Sequence, residues 1–224
     1  MAPLFGPKKR KAFDYKSYWE NRYRVGDNSG SGSYELLAEY KAEVLNEFVK
    51  KKDVDRVIEF GCGDGNQLSL YKFNTYLGLD VSEKSIELNM ERYSDDYTKS
   101  FMLYDPDHFA NGGFLKADLV ICIDVLYHIT DESDFKKTLR DIFDSSSKYV
   151  ALYTNTKIFE GGRTSNHIKY RDIFPYLSSF SEFSIDSVLE NPHADKSSAN
   201  FIFLSKSRKG VLIERAPVVA GQDR

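Results

Sequence analysis

Short apolar runs alternate along this chain with segments of helical hydrophobic spacing, and this alternation restricts the possible folds more than any other feature. The pattern predicts five strands, at residues 56–60, 75–80, 100–103, 118–123 and 149–154. Helices are predicted at 83–93, after a capping Ser82, and at 135–143, after the acidic stretch 130–132. Strands that alternate with helices are typical of a parallel sheet covered by helices on both faces, so we expect an α/β fold.

The last two predicted strands, 183–189 and 201–205, differ from the others in their connection. Only a short turn around 191–195 separates them, which is too short for a crossover helix, so we expect an antiparallel hairpin. An amphipathic pattern over 34–50 predicts a helix leading into the first strand. The predicted fold is therefore a Rossmann-like, seven-stranded, mostly parallel sheet with helices on both faces and a C-terminal antiparallel hairpin.

Length and hydrophobic content set the domain organisation. A chain of 224 residues with 41% hydrophobic content can bury one core but hardly two. We expect that core, the binding domain, at 53–207, preceded by a helical lid segment at 13–52 and flanked by a basic disordered tail at 1–12 and an appendage at 208–224. No apolar stretch approaches the roughly 18 to 20 residues that cross a bilayer, and the opening residues lack a secretory apolar run. These features predict a cytoplasmic protein without membrane insertion.

Charge and cysteine usage exclude several classes of partner. The formal net charge of -3 gives no broad basic surface, so we expect no nucleic acid partner. A basic run at 7–11 is typical of a solvated tail, with a nuclear import signal as the alternative. Cys62 and Cys122 lie in apolar or glycine-rich runs without metal-ligand spacing, and this favours buried, reduced thiols. The sequence offers no compelling carboxylate trio beyond Asp124, Asp131 and Asp134, and we predict no metal.

The most informative motif covers residues 57–65, where an apolar strand runs into three glycines at alternate positions. Glycines allow backbone torsions and a close ligand approach that a Cβ atom would block, and open α/β sheets bind ligands at the carboxyl ends of their strands. Asp80 ends the next strand, where its carboxylate can accept hydrogen bonds from both hydroxyls of an adenosine ribose. Both signals predict a nucleoside-containing ligand at this edge of the sheet.

Spacing and charge distinguish between two such ligands. Dinucleotide-binding proteins usually carry Gly-x-Gly-x-x-Gly, whereas this chain has Gly-x-Gly-x-Gly with Glu59 two residues before the first glycine. A carboxylate at this strand end would repel a pyrophosphate but suits the ammonium group of S-adenosylmethionine (SAM). The residues therefore favour SAM over a nicotinamide dinucleotide.

Three segments of the chain resemble successive motifs of class I SAM-dependent methyltransferases. They are 59–65 (Glu-Phe-Gly-Cys-Gly-Asp-Gly), 78–82 (Gly-Leu-Asp-Val-Ser) and 117–129, which opens with Ala-Asp-Leu-Val and closes with Tyr-His-Ile. The resemblance extends over residues 53–206 and implies SAM as the cofactor. It implies that the motif glycines approach the methionine part, Asp80 holds the ribose, Asp105 lies near the adenine, and Asp124 and Val125 flank the methyl-transfer position. On this basis we expect cofactor contacts from Glu59, Gly61, Cys62, Gly63, Asp80, Val81, Asp105, Asp124 and Val125.

The N-terminal segment resembles one found in methyltransferases of polysaccharide and glycan synthesis, including viral ones. The resemblance covers 18–23 (Tyr-Trp-Glu-Asn-Arg-Tyr) and the Gly/Ser stretch 29–33. Arg22 could pair with the SAM carboxylate, Trp19 or Tyr18 could close over the ligand, and the Gly/Ser stretch could act as a hinge. The alternative is a core aromatic pair followed by a flexible linker.

Candidate catalytic and acceptor-binding residues follow the fourth and fifth strands. His128 is the leading candidate for a general base, since it lies four residues after Asp124 and an imidazole titrates near neutral pH; the alternative is a supporting role. A polar loop at 160–167 is expected over the mouth of the site. If Asn166 capped a helix to about residue 177, His167 and Arg171 would share one face. We predict catalytic roles for Asp124, His128 and His167, and substrate contacts from Tyr153, Asn155, His167 and Arg171.

Several acceptor classes are disfavoured by the sequence. The segment 124–127 reads Asp-Val-Leu-Tyr rather than the Asn/Asp-Pro-Pro-aromatic motif expected for methylation of base amines, and no Pro-Cys nucleophile for cytosine occurs. A hydroxyl acceptor remains, and the N-terminal resemblance favours a sugar of a glycan, bound as a small molecule or oligosaccharide. The alternatives are a methyltransferase of a small metabolite or protein side chain, and a non-catalytic SAM-binding sensor or partner subunit.

Overall fold

The computed structural model describes residues 13–156 and 165–207, and within them a seven-stranded sheet forms the centre of the molecule. The strands are β1 Arg56–Phe60, β2 Thr75–Asp80, β3 Lys99–Leu103, β4 Ala117–Ile123, β5 Ser146–Asn155, β6 Phe183–Leu189 and β7 Ala199–Lys206. They lie in the order β3-β2-β1-β4-β5-β7-β6. The helices are α1 Tyr15–Arg24, α2 Glu35–Lys52, α3 Glu83–Arg92, α4 Glu132–Ser145 and α5 Phe174–Leu177. The predicted fold class is confirmed.

The pairing of the strands follows the predicted division into a parallel part and a hairpin. Strands β1 to β5 pair in parallel, whereas β7 is antiparallel to both of its neighbours, β5 and β6. The turn between β6 and β7 leaves no room for a helix, so the chain must reverse its direction within one sheet. The carboxyl ends of β1, β2, β4 and β5 consequently meet at one edge, beside the turn that begins β7.

Helices cover both faces of this sheet, which explains its continuous apolar strands. Every residue of β4 is buried, because a central strand covered on both sides has no solvent-facing side. Alternate residues of β4 enter two different cores: Val120 and Cys122 pack towards α4, whereas Leu119 and Ile121 pack towards α2. Both cysteines are buried and free, as the sequence predicts.

The helices α3 and α4 begin close to the start signals in the sequence, although α4 begins at Glu132, three residues before its predicted start. Ser82 accepts a hydrogen bond from the Ser85 amide at the start of α3. Asp131 does the same for α4, accepting from the amides of Ser133 and Asp134. No helix of the described residues is long and apolar enough to cross a membrane.

The predicted helix from Asn166 to about residue 177 is wrong. Residues 165–173 form turns and irregular structure, and only Phe174–Leu177 is helical. Two contacts hold the segment out of a helix: the Lys169 amide donates to the Tyr127 carbonyl oxygen, and the Arg171 side chain reaches Glu132. Pro175 then restricts α5 to a start after this segment, since proline fits only the first turn of a helix. The predicted polar loop at 160–167 lies mostly outside the described residues, as do the tails 1–12 and 208–224.

Candidate functional site

The glycine turn after β1 lies at the edge where the parallel strands end. Gly61 has a φ of +87°, and a Cβ atom placed on it would lie 2.2 Å from Val125 Cγ2. Gly63 has a φ of +58°, and its Cβ would lie 2.4 Å from Ser29 Oγ. Both positions combine a left-handed backbone with close neighbours, and only glycine satisfies both conditions. The turn therefore brings the end of β1 into contact with the loop after β4 and with the segment that follows α1.

A cavity of about 400 Å³ opens above this turn. Its wall is built by α1, the Gly/Ser segment before α2, the ends of β1, β2, β4 and β5, and the turn before β7. Most of the predicted site residues lie together on this wall: Trp19, Arg22, Glu59, Gly61, Cys62, Gly63, Asp80, Val81, Asp124, Val125, His128, Asn155 and His167. Asp105, Tyr153 and Arg171 are the predicted site residues that are not part of the described wall.

Two buried carboxylates lie at the floor of the cavity. Burial raises the pKa of Glu59 to about 7, although Tyr76 donates a hydrogen bond to it at 2.5 Å and Lys41 lies nearby. Burial raises the pKa of Asp80 to about 6, although its two oxygens accept hydrogen bonds from the amides of Gly63 and Ser82, each at 2.9 Å. Both groups thus change charge near neutral pH, and a cation in the cavity would favour their ionised forms.

Helix α1 forms the wall opposite the sheet. Glu20 fixes this helix to the start of α3, because its Oε2 accepts hydrogen bonds from Ser82 Oγ at 2.6 Å and from the Lys84 amide at 3.1 Å. Trp19 and Arg22 are thereby placed on the cavity wall, with the guanidinium 5.7 Å from the indole centroid. The first helix of the predicted lid segment is thus docked on α3.

Asp105 is engaged elsewhere. Its carboxylate accepts hydrogen bonds from Lys16 Nζ at 2.8 Å and pairs with His108 Nδ1 at 2.7 Å. These partners lower the pKa of Asp105 to about 2. Because Lys16 belongs to α1, the contact helps to fix that helix, and the predicted adenine contact of Asp105 receives no support from its position.

His128 is held in one protonation state and one orientation. Burial lowers its pKa to about 4, so the imidazole is neutral at physiological pH. Its Nδ1 lies 3.0 Å from the carbonyl oxygen of His167, which can only accept, so Nδ1 carries the proton. The remaining nitrogen, Nε2, has the lone pair that can accept a proton. His128 is therefore neutral and can accept a proton at Nε2, as a weaker base than a free imidazole because of its lowered pKa.

Aromatic rings pack on both sides of this imidazole. The His167 ring stacks on His128 with centroids 5.5 Å apart, and Tyr18 stacks on His167 at 5.0 Å. Trp19 contacts His128 edge to face at 5.0 Å. These contacts join α1 to the loop after β5, so His167 supports His128 through its carbonyl oxygen and its ring.

Arg171 and Tyr153 make structural contacts, and their predicted contact with the acceptor stays a prediction. The Arg171 guanidinium pairs with Glu132 at 3.0 Å and lies 4.0 Å from the centre of the Phe135 ring, so it fixes the loop to α4. Tyr153 points into the core from β5, with 1% of its surface exposed. Asn155 lies two residues further on, on the same side of the strand but at the end of β5, where it lines the cavity and donates to Ser198 Oγ.

Replacing Arg171 by alanine tests whether its role is structural. We expect the free energy of unfolding to fall by about 2 kcal/mol, because a buried charged hydrogen bond and a cation–π contact are lost. The melting temperature should fall by about 4–8 °C, while the affinity for SAM and the KM for the acceptor stay unchanged. The control is Lys169→Ala, which removes a more exposed partner of the same Glu132 and should cost less than about 1 kcal/mol. A raised KM for the acceptor with unchanged stability would show that Arg171 contacts the acceptor instead.

Two features of the site were missed at the sequence level. Lys41 lies on α2 with its side chain 1% exposed and pairs with Asp124. A signal was present, because Leu37, Lys41 and Leu45 lie four residues apart on the apolar side of that helix. The turn before β7 supplies Lys196, Ser197 and Ser198 to the cavity wall, and no motif in the sequence predicted this contribution.

Comparisons with known proteins agree with the architecture. A family model described as a methyltransferase domain matches residues 34–191. No curated protein matches the chain. Similar solved structures include magnesium protoporphyrin IX methyltransferase (ChlM) from Synechocystis PCC 6803 with bound SAM, at a TM-score of 0.62 and 18% identity, covering 89% of this chain and 100% of that one.

Two further structures share the fold. The N-methyltransferase NodS from Bradyrhizobium japonicum WM9, in complex with S-adenosylhomocysteine (SAH), has a TM-score of 0.66 at 14% identity, covering 88% of this chain and 100% of that one. CalS10, an amino pentose methyltransferase from Micromonospora echinaspora involved in calicheamicin biosynthesis, is bound to SAM and has a TM-score of 0.61 at 11% identity. That match covers 89% of this chain and 99% of the other.

Proposed function

The chain belongs to the methyltransferase domain family, and on that premise we propose that it binds SAM in the described cavity and transfers the methyl group to a hydroxyl of a sugar. The observation that carries the choice of a hydroxyl is His128, a neutral imidazole on the cavity wall with Nδ1 protonated and Nε2 available as a base. Hydroxyl acceptors need such a base, because they lose a proton as the new bond forms.

The residues on the wall fit SAM in shape and charge. The side-chain-free turn at Gly61 and Gly63 allows close approach of the amino-acid part, and Glu59 and Asp124 lie where an ammonium gains from negative charge. Asp80 still has acceptor capacity for ribose hydroxyls, since each carboxylate oxygen can accept more than one hydrogen bond. Trp19 and Arg22 lie on the wall of this cavity, and Arg22, which pairs with Asp27 at 3.2 Å, would exchange that partner for the ligand carboxylate.

When bound, SAM supplies an electrophilic methyl group on a sulfonium, which is already a good leaving group. The protein therefore has to orient the acceptor and take up its proton. We assign proton uptake from the acceptor hydroxyl to His128 Nε2, and the His167 carbonyl oxygen stabilises the imidazolium through Nδ1–H. Asp124 contributes negative charge on the same wall, and the stacked rings of Tyr18 and His167 restrict water around the base.

A sugar is the acceptor that best fits the remaining wall. Asn155, Ser197 and Ser198 offer hydrogen-bonding groups to the cavity, and Trp19 contributes an aromatic ring to the same wall. Polyhydroxylated ligands use both kinds of surface, because each sugar ring has polar edges and apolar C–H faces. The resemblance of the N-terminal segment to glycan methyltransferases supports the same choice.

The test is a screen with labelled SAM. Purified protein is incubated with glycans, free sugars and sugar nucleotides, and in parallel with small metabolites and peptides, and labelled product and released SAH are measured. We expect label in a sugar, in a bond that resists mild base as an ether does. Label only in a metabolite or peptide would contradict the sugar acceptor. SAM binding without SAH release from any acceptor would favour the sensor or partner subunit.

The raised pKa values predict a pH dependence of cofactor binding. In the free protein Glu59 and Asp80 take up protons as the pH falls through about 7 and about 6. A bound ammonium favours their ionised forms, so affinity for SAH should fall as the pH is lowered and level off above about 7.5. Between pH 7.5 and 5.5 we expect the Kd to rise at least about tenfold. Calorimetry should also detect protons released on binding, and a Kd that falls at low pH would contradict this electrostatic role.

A further inference from the structure

Lys41 is an unusual residue for the middle of a helix packed on a core. Its side chain is 1% exposed, and its Nζ lies 2.5 Å from Asp124 Oδ2. The ammonium also lies 5.4 Å from the centre of the Tyr153 ring. Removing an ammonium from water is costly even when it is paired, and apolar residues would fill this position at least as well. The buried lysine therefore requires an explanation beyond packing.

Its partner, Asp124, is the strained residue of the site. Asp124 follows β4 with a φ of +61°, a left-handed conformation that residues with a Cβ rarely adopt. The neighbouring structure must hold such a residue in place. Its carboxylate is held from two directions: Tyr127 donates to Oδ1 at 2.7 Å, and Lys41 donates to Oδ2.

A third element closes on the same carboxylate. A Cβ atom on Gly32 would lie 3.0 Å from Asp124 Oδ2, so the Gly/Ser segment packs directly against this oxygen. Helix α2, which carries Lys41, begins just after that segment, at Glu35. The position of Asp124 thus depends on α2 and on the segment before it. Asp124 also precedes Val125, the residue that packs against Gly61.

We propose that Lys41 is a positioning residue that acts through Asp124. Its ammonium fixes the Asp124 carboxylate, and with it the left-handed turn after β4, in the arrangement that receives the amino-acid part of SAM. This inference rests on the proposed SAM site. It assigns a function to the buried charge: Lys41 fixes one oxygen of a carboxylate whose other oxygen is held by Tyr127.

The test compares two ligands and two protein backgrounds by calorimetry. SAH carries the amino-acid part, whereas 5′-methylthioadenosine lacks it. We expect Lys41→Met to weaken SAH at least about tenfold and to change methylthioadenosine binding less than about twofold. Because Lys41 acts through Asp124, K41M should change SAH affinity less than about twofold in the D124N background. Lys51→Met, at an exposed lysine of the same helix, is the control and should bind both ligands normally.

Each result decides the proposal. Equal losses for the two ligands, or the same loss with and without D124N, would show that Lys41 acts independently of Asp124 and would overturn the inference. If K41M fails to fold, Lys41→Gln replaces it, and SAH affinity equal to that of the unsubstituted protein would overturn the need for an ammonium. Absence of SAH binding by the unsubstituted protein would instead contradict the proposed function.

Discussion

Replacing Gly61 by alanine should abolish cofactor binding. Alanine at a φ of +87° is strained, and its Cβ would lie 2.2 Å from Val125 Cγ2, so the turn and the loop after β4 must separate. Both form the cavity wall, and we expect SAH affinity to fall by at least about 100-fold, equivalent to about 2.7 kcal/mol. Calorimetry with SAH measures the affinity, and thermal unfolding shows whether the variant remains folded.

Gly26 provides a matched control for the backbone strain. Its φ of +81° is close to that of Gly61, but a Cβ there would have nothing within 4 Å. Gly26→Ala should therefore cost about 1–2 kcal/mol of stability and leave SAH binding intact. The double variant G61A/V125A removes the methyl groups that clash and should recover part of the affinity. Normal SAH binding by G61A alone would show that the turn does not form the cofactor site.

Replacing His128 by alanine should remove most of the catalysis while leaving the cofactor bound. A positioned general base contributes about 10² to 10⁴-fold to the rate, so we expect kcat at saturating SAM to fall by that factor. The Kd for SAH should change less than about threefold, because the residues assigned to the cofactor are different ones. Added imidazole should restore part of the rate by occupying the space left by the side chain.

Variants of two other histidines distinguish loss of the base from loss of a residue that supports it. His167→Ala keeps the backbone carbonyl oxygen that receives the His128 Nδ1 proton, so its loss in kcat should be well below that of H128A. His108→Ala, at an exposed residue that pairs with Asp105, should leave kcat unchanged. A loss below about tenfold for H128A would exclude His128 as the base.

The parts of the fold that local patterns determine were predictable. Strand and helix periods reflect which side of each element is buried, and the short turn around 191–195 required an antiparallel final pair. The glycine turn could be predicted equally well, because the need for a positive φ selects glycine at Gly61 and Gly63. These features depend on neighbouring residues, so a single sequence contains the information.

Contacts between residues far apart in the chain could not be predicted. Asp105 is paired with Lys16 across 89 residues, and Arg171 reaches Glu132 across 39. A local pattern indicates which face a side chain occupies, but it does not identify the charge that the side chain will meet. Lys41 shows the limit most clearly: its place on an apolar helix face was visible, whereas its partner Asp124 lies 83 residues away.

The most direct measurement of the central claim is calorimetric titration of the folded protein with SAM, SAH and NADH. The turn that contains Gly61 and Gly63, with Glu59 and Asp80 beside it, should bind SAM and SAH at one site, and the heat of binding should saturate. NADH should give none, because its pyrophosphate would face these carboxylates. Tight binding of NADH together with no heat from either SAM or SAH would contradict the proposed site.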